Sequence, residues 1–252
     1  MIRLTEELSL NAWPSLQTIY YDGWLLCFSE GYTRRACSVN PLYASSLNVQ
    51  EKIRHCEEVY ASKGQPTIFK MTPAARPARL DEALEAEGYQ PEATTSVQGL
   101  ALTDLARSPV EAASTSMQPT KAWLADYCLL NRVDQRHAPT MMRMLGSIAP
   151  ASCFASVRKD GETAAVGMAV LERGYVGLFD IVTATPRRNQ GLGAQLVLHL
   201  LSWGIANGAH HAYLQVMTNN APALHLYAKL GFKEMYRYWY RVQASALVRP
   251  KR

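Results

Sequence analysis

The chain has 252 residues, 48% of them hydrophobic and 19% charged, with a formal net charge of +5. That composition can bury a core and excludes a disordered chain, and no apolar run approaches the ~20 residues of a membrane span. The mild positive balance favours an anionic ligand without requiring nucleic acid. Cys27, Cys37, Cys56, Cys128 and Cys153 are odd in number and scattered without a Cys-x-x-Cys pair. They predict reduced thiols rather than a disulfide framework or a zinc site. The six histidines show no metal-ligand spacing, so no metal is expected. A basic-then-apolar leader is not seen after Met1, which predicts a cytoplasmic protein with no membrane partner.

In chain order, Trp24–Phe28 and Arg34–Val39 read as strands, Leu47–Ser62 as a helix, and Thr67–Met71 as a strand. Ala78–Glu87 reads as a helix stopped at Gly88, and Thr95–Leu102 as a strand. Residues 103–120 lack periodicity, are rich in Ser, Thr, Ala and Pro, and read as a linker. They divide an N-terminal α+β domain (1–103) from a C-terminal one (119–243). Beyond the linker, Lys121–Leu130 and Thr140–Leu145 predict two helices, and Cys153–Val157 and Ala164–Leu171 two strands turning at Gly161. Phe179–Thr183 is a β-branched run. Leu192, Leu196, Leu200 and Trp203 then recur every three or four residues on one helix face. Arg249-Pro250-Lys251-Arg252 reads as a solvated basic tail.

Between that strand and that helix lies Arg188-Asn189-Gln190-Gly191-Leu192-Gly193-Ala194. Glycines opening a helix straight after a strand expose backbone N–H groups at the positive end of the helix dipole, where an anion is favoured. A P-loop would need Lys and Ser or Thr after its second glycine, and none follows Gly193. A dinucleotide fingerprint would need a third glycine where Leu196 stands. After Gly208, Ala212–Met217 alternates as a strand. Asn220 then offers a helix cap, Pro222 fits the first turn, and Gly231 ends the helix.

The loop, Arg/Gln-x-x-Gly-x-Gly/Ala, resembles the acetyl-CoA pyrophosphate loop of the GNAT N-acetyltransferase superfamily. The second stretch is similar to that superfamily's Asn-x-x-Ala-x-x-Leu-Tyr followed by Leu-Gly-Phe, here Asn220 through Tyr227 and Leu230-Gly231-Phe232. The resemblance covers roughly residues 119 to 243. It implies an α+β GNAT fold, a mixed and mostly antiparallel sheet flanked by helices. It also implies an acetyl-CoA-dependent acyltransferase acting on a primary amine of a small molecule or peptide, the alternative being a non-catalytic acyl-CoA-binding protein on the same scaffold. Carried residue by residue, the resemblance puts the pyrophosphate on Asn189, Gln190, Gly191, Leu192, Gly193 and Ala194, with Arg188 adding charge or standing as a solvated loop residue. Ile181, Val182 and Thr183 would pair their backbone with pantetheine, and Asn220 and Ala223 would line the thiol end. Tyr227 would protonate the leaving thiolate, since a tyrosine pKa near ~10 keeps the hydroxyl protonated at neutral pH. Asp180 is a candidate base on the same strand, and reads more readily as a structural aspartate.

In the N-terminal half, Ala83–Tyr89 echoes Leu226–Phe232, so this half reads either as a degenerate second module, giving a tandem pseudo-repeat, or as an unrelated α+β domain. It has Asn40–Leu47 without glycine where a phosphate loop would stand, and Leu84 in the place of Tyr227. Trp13, Tyr20, Tyr21 and Trp24 would line an acceptor pocket or build a core. Arg34 and Arg35, as neighbours on a strand, would face opposite sides.

Overall fold

A computed structural model describes residues 1–102 and 113–243. Most of the sequence read as linker and the basic tail lie outside the described residues. The elements are α1 (Ile2–Ala12), β1 (Gln17–Tyr21), β2 (Trp24–Phe28), β3 (Val39–Asn40), α2 (Val49–Ser62), β4 (Ile68–Met71), α3 (Leu80–Ala86) and β5 (Tyr89–Ala101). They continue with β6 (Ala113–Ser116), α4 (Lys121–Asn131), α5 (Ala138–Gly146), β7 (Ala151–Lys159), β8 (Glu162–Glu172) and β9 (Tyr175–Thr183). The last are α6 (Leu192–Ala206), β10 (His211–Met217), α7 (Ala221–Lys229) and β11 (Lys233–Gln243).

The chain forms two compact units. Among the described residues the first comprises 1–7, 15–96 and 236–243, and the second 8–14, 97–102 and 113–235. In the first unit the strand order is β1-β2-β3-β4-β11-β5. β1 and β2 form a hairpin, β3 pairs antiparallel with β2, and β3 and β4 run parallel through Val39 and Phe69. Helix α2 forms because Asn48 caps it, accepting from Gln50 N at 2.9 Å and Glu51 N at 3.3 Å. Its buried stripe of Ile53, Cys56 and Tyr60 packs on Trp24, Leu26, Phe28, Phe69, Met71, Leu80 and Leu84.

In the second unit the order is β5-β10-β9-β8-β7-β6. β6 to β9 pair antiparallel in sequence, and β9 pairs parallel with β10. The turns at Asp160-Gly161 and Arg173-Gly174 take positive φ at both residues, the backbone that a two-residue hairpin between twisted strands requires. Helix α6 lays Leu196, Val197, Leu200 and Leu201 on Ala155, Ala165, Val176 and Leu178 of the sheet and on Leu214 of β10. The result is the α+β, mostly antiparallel architecture of a GNAT protein.

Some elements differ from the sequence expectation. Arg34–Val39 is not a strand. Arg34–Ala36 form a 3₁₀ turn closed by Ala36 N to Thr33 O at 3.1 Å, and only Val39–Asn40 join the sheet. Arg34 and Arg35 therefore do not alternate across a strand, and Arg34 instead pairs with Glu92 at 2.5 Å. Residues 113–116, read as linker, form β6 against β7. Helix α1 and strand β1 had no expectation. Trp13 and Trp24 are buried, the latter donating its indole N–H to Arg76 O at 2.8 Å, while Tyr20 is 80% exposed.

Candidate active site

The end of β9 is built differently from its start. The β9–β10 ladder pairs Tyr175–Leu178 with His211–Leu214, while β9 stays on β8 as far as Thr183 opposite Ala165. From Ile181 to Thr183 the other edge of β9 has no strand partner among the described residues. On the β8 side Met168 opposes Phe179 and Val166 opposes Val182, so Gly167 alone faces both Asp180 and Ile181. This is a β-bulge, and Asp180 takes φ 54° in it. The extra residue returns Ile181 to the helix-facing side, where it packs with the α6 core. Val182 and Thr183 then follow half-buried on the open-edged segment.

The chain leaves β9 through Ala184, whose N–H is held by Ala164 O at 2.8 Å, and turns through a 3₁₀ turn at Thr185–Arg187. Arg188 is extended, Asn189 is left-handed at φ 61°, and Gly191 is left-handed at φ 79° as the residue before α6. A Cβ on Gly191 would meet nothing within 4 Å, so the position is open above the loop and the glycine serves the backbone turn. A Cβ on Gly193 would stand 3.3 Å from Thr183 Oγ1 and 3.5 Å from Leu226 Cδ2, which brings the ends of β9, α6 and α7 together. The first bond closing α6 runs from Gln195 N to Gly191 O at 2.9 Å. The N–H groups of Leu192, Gly193 and Ala194 precede it and lack carbonyl partners inside the helix. With the helix dipole behind them, such N–H groups favour an anion.

The loop is braced by a turn that sequence reading did not connect to it. Arg187 pairs with Asp160 at 2.8 Å and reaches Glu162 at 4.0 Å. Lys159 donates to Gln190 Oε1 at 2.7 Å. The Gly161 turn was legible; its place beside the loop was not, because that depends on the β7–β8 pairing. Arg188 and Asn189 are exposed, and Arg188 makes no ion pair among the described residues.

On α7, Asn220 Oδ1 accepts from Ala223 N at 3.3 Å, so Asn220 is the helix cap that its sequence position predicts. Tyr227 is 7% exposed and lies edge-on to Phe232 with ring centroids 5.9 Å apart. Its hydroxyl makes no hydrogen bond among the described residues, and burial pushes its pKa up to about 12. A buried tyrosine normally finds a partner for its hydroxyl. This one is left uncommitted. All five cysteines are free and buried, and no cluster of His, Cys, Asp and Glu fit to hold a metal occurs among the described residues.

Residues 1–241 match the family model described as probable histone acetyltransferase Rv0428c C-terminal. The chain belongs to this family. It is a member of the GNAT superfamily, and its relatives agree. An uncharacterized N-acetyltransferase, YobR, of Bacillus subtilis is 27% identical over 246 residues, covering 96% of this chain and 98% of its own. A streptothricin acetyltransferase of Streptomyces lavendulae is 33% identical over 91 residues, 34% of this chain and 47% of its own. Among solved structures, a GCN5-related N-acetyltransferase from Kribbella flavida superposes with a TM-score of 0.67 at 13% identity, over 96% of this chain and 95% of its own. A tandem GNAT protein from the clavulanic acid biosynthesis pathway superposes with a TM-score of 0.60 at 15% identity, over 77% of this chain and 68% of its own. No helix among the described residues is long and apolar enough to cross a membrane.

Proposed function

We propose that this GNAT protein transfers an acetyl group from acetyl-CoA to a primary amine by direct attack, the amine belonging to a small molecule or a peptide. The observation that carries the reading is the end of β9. A strand edge without a strand partner from Ile181 to Thr183 runs into a left-handed glycine and the open first turn of α6. That sequence of features fits an extended amide-bearing chain followed by a diphosphate. The backbone of Ile181, Val182 and Thr183 pairs with the pantetheine amides as an added strand would. The N–H groups from Asn189 to Ala194 hold the pyrophosphate, with Arg188 adding charge from the solvent side. Charge-assisted hydrogen bonds of this kind contribute about 1.5–3 kcal/mol each.

Holding cofactor and amine side by side supplies much of the catalysis, and no covalent acyl-enzyme is needed. The amine nitrogen attacks the thioester carbonyl, the C–S bond breaks, and the thiolate takes a proton from Tyr227. The amine's surplus proton leaves to solvent, and the phenolate is reprotonated. Asn220 and Ala223 line the thiol end, Asn220 also fixing the start of α7. The relatives' names point at two different acceptors, streptothricin and histones, and both classes stay within the proposal. Calorimetric titration with acetyl-CoA, with ATP and NAD as controls, tests it. Selective micromolar binding followed by amine-dependent thiol release is expected. Binding without thiol release across an amine screen would favour an acyl-CoA-binding protein, and no binding would remove the cofactor reading.

A further inference from the structure

The N-terminal half of the chain runs through the same element order as the C-terminal half: hairpin (β2–β3, β8–β9), loop, helix (α2, α6), strand (β4, β10), helix (α3, α7) and strand (β5, β11), with β3 parallel to β4 as β9 is to β10. β3 stands where β9 stands, antiparallel to β2 through Val39 and Asn40 and parallel to β4 through Val39. The loop ahead of the α2 or α6 helix, open in the second unit, is filled in the first. Ahead of α2, where the glycine loop would stand, the backbone of residues 43–47 folds over the β1–β2 turn. Tyr43 N reaches Gly23 O at 3.0 Å, and any Cβ on Gly23 would lie 2.2 Å from Ala44 O.

An anion already sits in that loop. The Asp22 carboxylate accepts from Ser46 N at 3.0 Å, Leu47 N at 2.9 Å, Ser46 Oγ at 2.9 Å and Lys52 Nζ at 3.1 Å. Lys52 is fully buried, over the Trp24 ring at 4.0 Å, and also donates to Asp22 O at 2.5 Å and Ser45 Oγ at 2.8 Å. Two successive backbone amides, a hydroxyl and a desolvated ammonium form the donor set proteins use for phosphate. The hydrogen bonds from Leu47 and Ser46, with that from Lys52, hold the Asp22 carboxyl well below the usual carboxylate range despite its partial desolvation.

We infer that Asp22 is a built-in substitute for phosphate in the first unit, so that this unit is a closed counterpart of the cofactor module and the chain takes one acetyl-CoA, in the second unit. The stoichiometric part rests on the reading under Proposed function; the Asp22 part does not. The test vacates the site. Asp22→Gly keeps the left-handed turn, removes the carboxylate and strands the Lys52 ammonium. It is expected to lower Tm by about 5–10 °C in chloride. Inorganic phosphate at matched ionic strength should restore most of that loss, while raising the Tm of the wild type and of Asp22→Gly/Lys52→Met far less. A variant that folds only in phosphate gives the same answer. Equal phosphate effects on all three proteins, or an Asp22→Gly chain that folds in neither buffer, would overturn the substitution. Independently, wild type should bind acetyl-CoA once per chain, and Gly191→Val should abolish binding. Two sites per chain, or binding that survives Gly191→Val, would overturn the closed-module inference. Absence of any acetyl-CoA binding would count against the cofactor reading alone, leaving the phosphate experiment to decide Asp22.

Discussion

Replacing Tyr227 with phenylalanine removes one oxygen atom and separates chemistry from folding. The ring is buried and edge-on to Phe232, and phenylalanine keeps both features. The hydroxyl has no hydrogen bond to lose among the described residues, so the substitution should leave Tm and urea midpoint unchanged. What it removes is a proton donor. A positioned general acid contributes typically 10²–10⁴-fold, or about 3–5 kcal/mol of barrier at ~1.4 kcal/mol per decade. We expect kcat to fall by about 10² in a thiol-release assay, with acetyl-CoA affinity by calorimetry within twofold of wild type. The pH profile adds a second readout. Burial raises the phenol to about 12, so its neutral form is the donor across the whole physiological range. No descending limb assignable to Tyr227 should appear below about pH 11. A kcat within twofold of wild type, at unchanged stability, would refute the assignment.

Asp160→Asn loosens the brace on the glycine loop by weakening the Arg187 pair at 2.8 Å. Because Asp160 is exposed, the pair is worth at most about 1 kcal/mol. Acetyl-CoA affinity should therefore drop no more than about fivefold, with kcat unchanged and the difference erased at high salt. Gly204→Ala places a Cβ 2.9 Å from Val176 Cβ and Cγ1, between α6 and β9. Overpacking of ~1–3 kcal/mol should outweigh the ~1 kcal/mol gained in helix propensity, lowering the urea midpoint, and Val176→Ala should relieve it in the double variant. Asp81 is held below its ordinary value of 3.8, chiefly by its hydrogen bonds from Arg241. Its contribution to stability is thus full above that value and is lost as pH falls through the lowered one. The stability deficit of Asp81→Asn, measured by urea unfolding, should be present at about pH 7 and shrink as pH falls through the lowered value.

The parts of the fold that were legible are those encoded within a single turn of chain. Asn220 announced a helix start with a side chain that caps it, and the Gly161 turn lay within a four-residue signal. The Arg34–Val39 error has the same origin. Thr-Arg-Arg-Ala-Cys-Ser-Val looks extended by composition, yet Thr33 O and Arg34 O close on Ala36 N and Cys37 N before a strand can begin. Strand β6 escaped notice because Ala-Ser-Thr-Ser carries no hydrophobic alternation. It is a strand because β7 offers Phe154–Val157 as a ladder.

The candidate site divides along the same line. Its glycine loop and the Asn220–Tyr227 helix are local signals, and local signals brought them out. The open edge of β9 is a statement about where β10 stops pairing, and the bulge at Asp180 about how two strands register across Gly167; neither is written in either strand alone. The clearest case is Asp22. In the sequence it is the first half of an Asp-Gly turn, and the stretch from Asn40 to Leu47 is conspicuous only for lacking glycine. Once the hairpin and the loop are folded together, the missing glycine and the present carboxylate become one fact. A loop whose amides are already satisfied by an internal anion has no need of a backbone shaped to admit an external one. The two halves of the chain can therefore share an element order while one holds its own charge and the other leaves its helix terminus open.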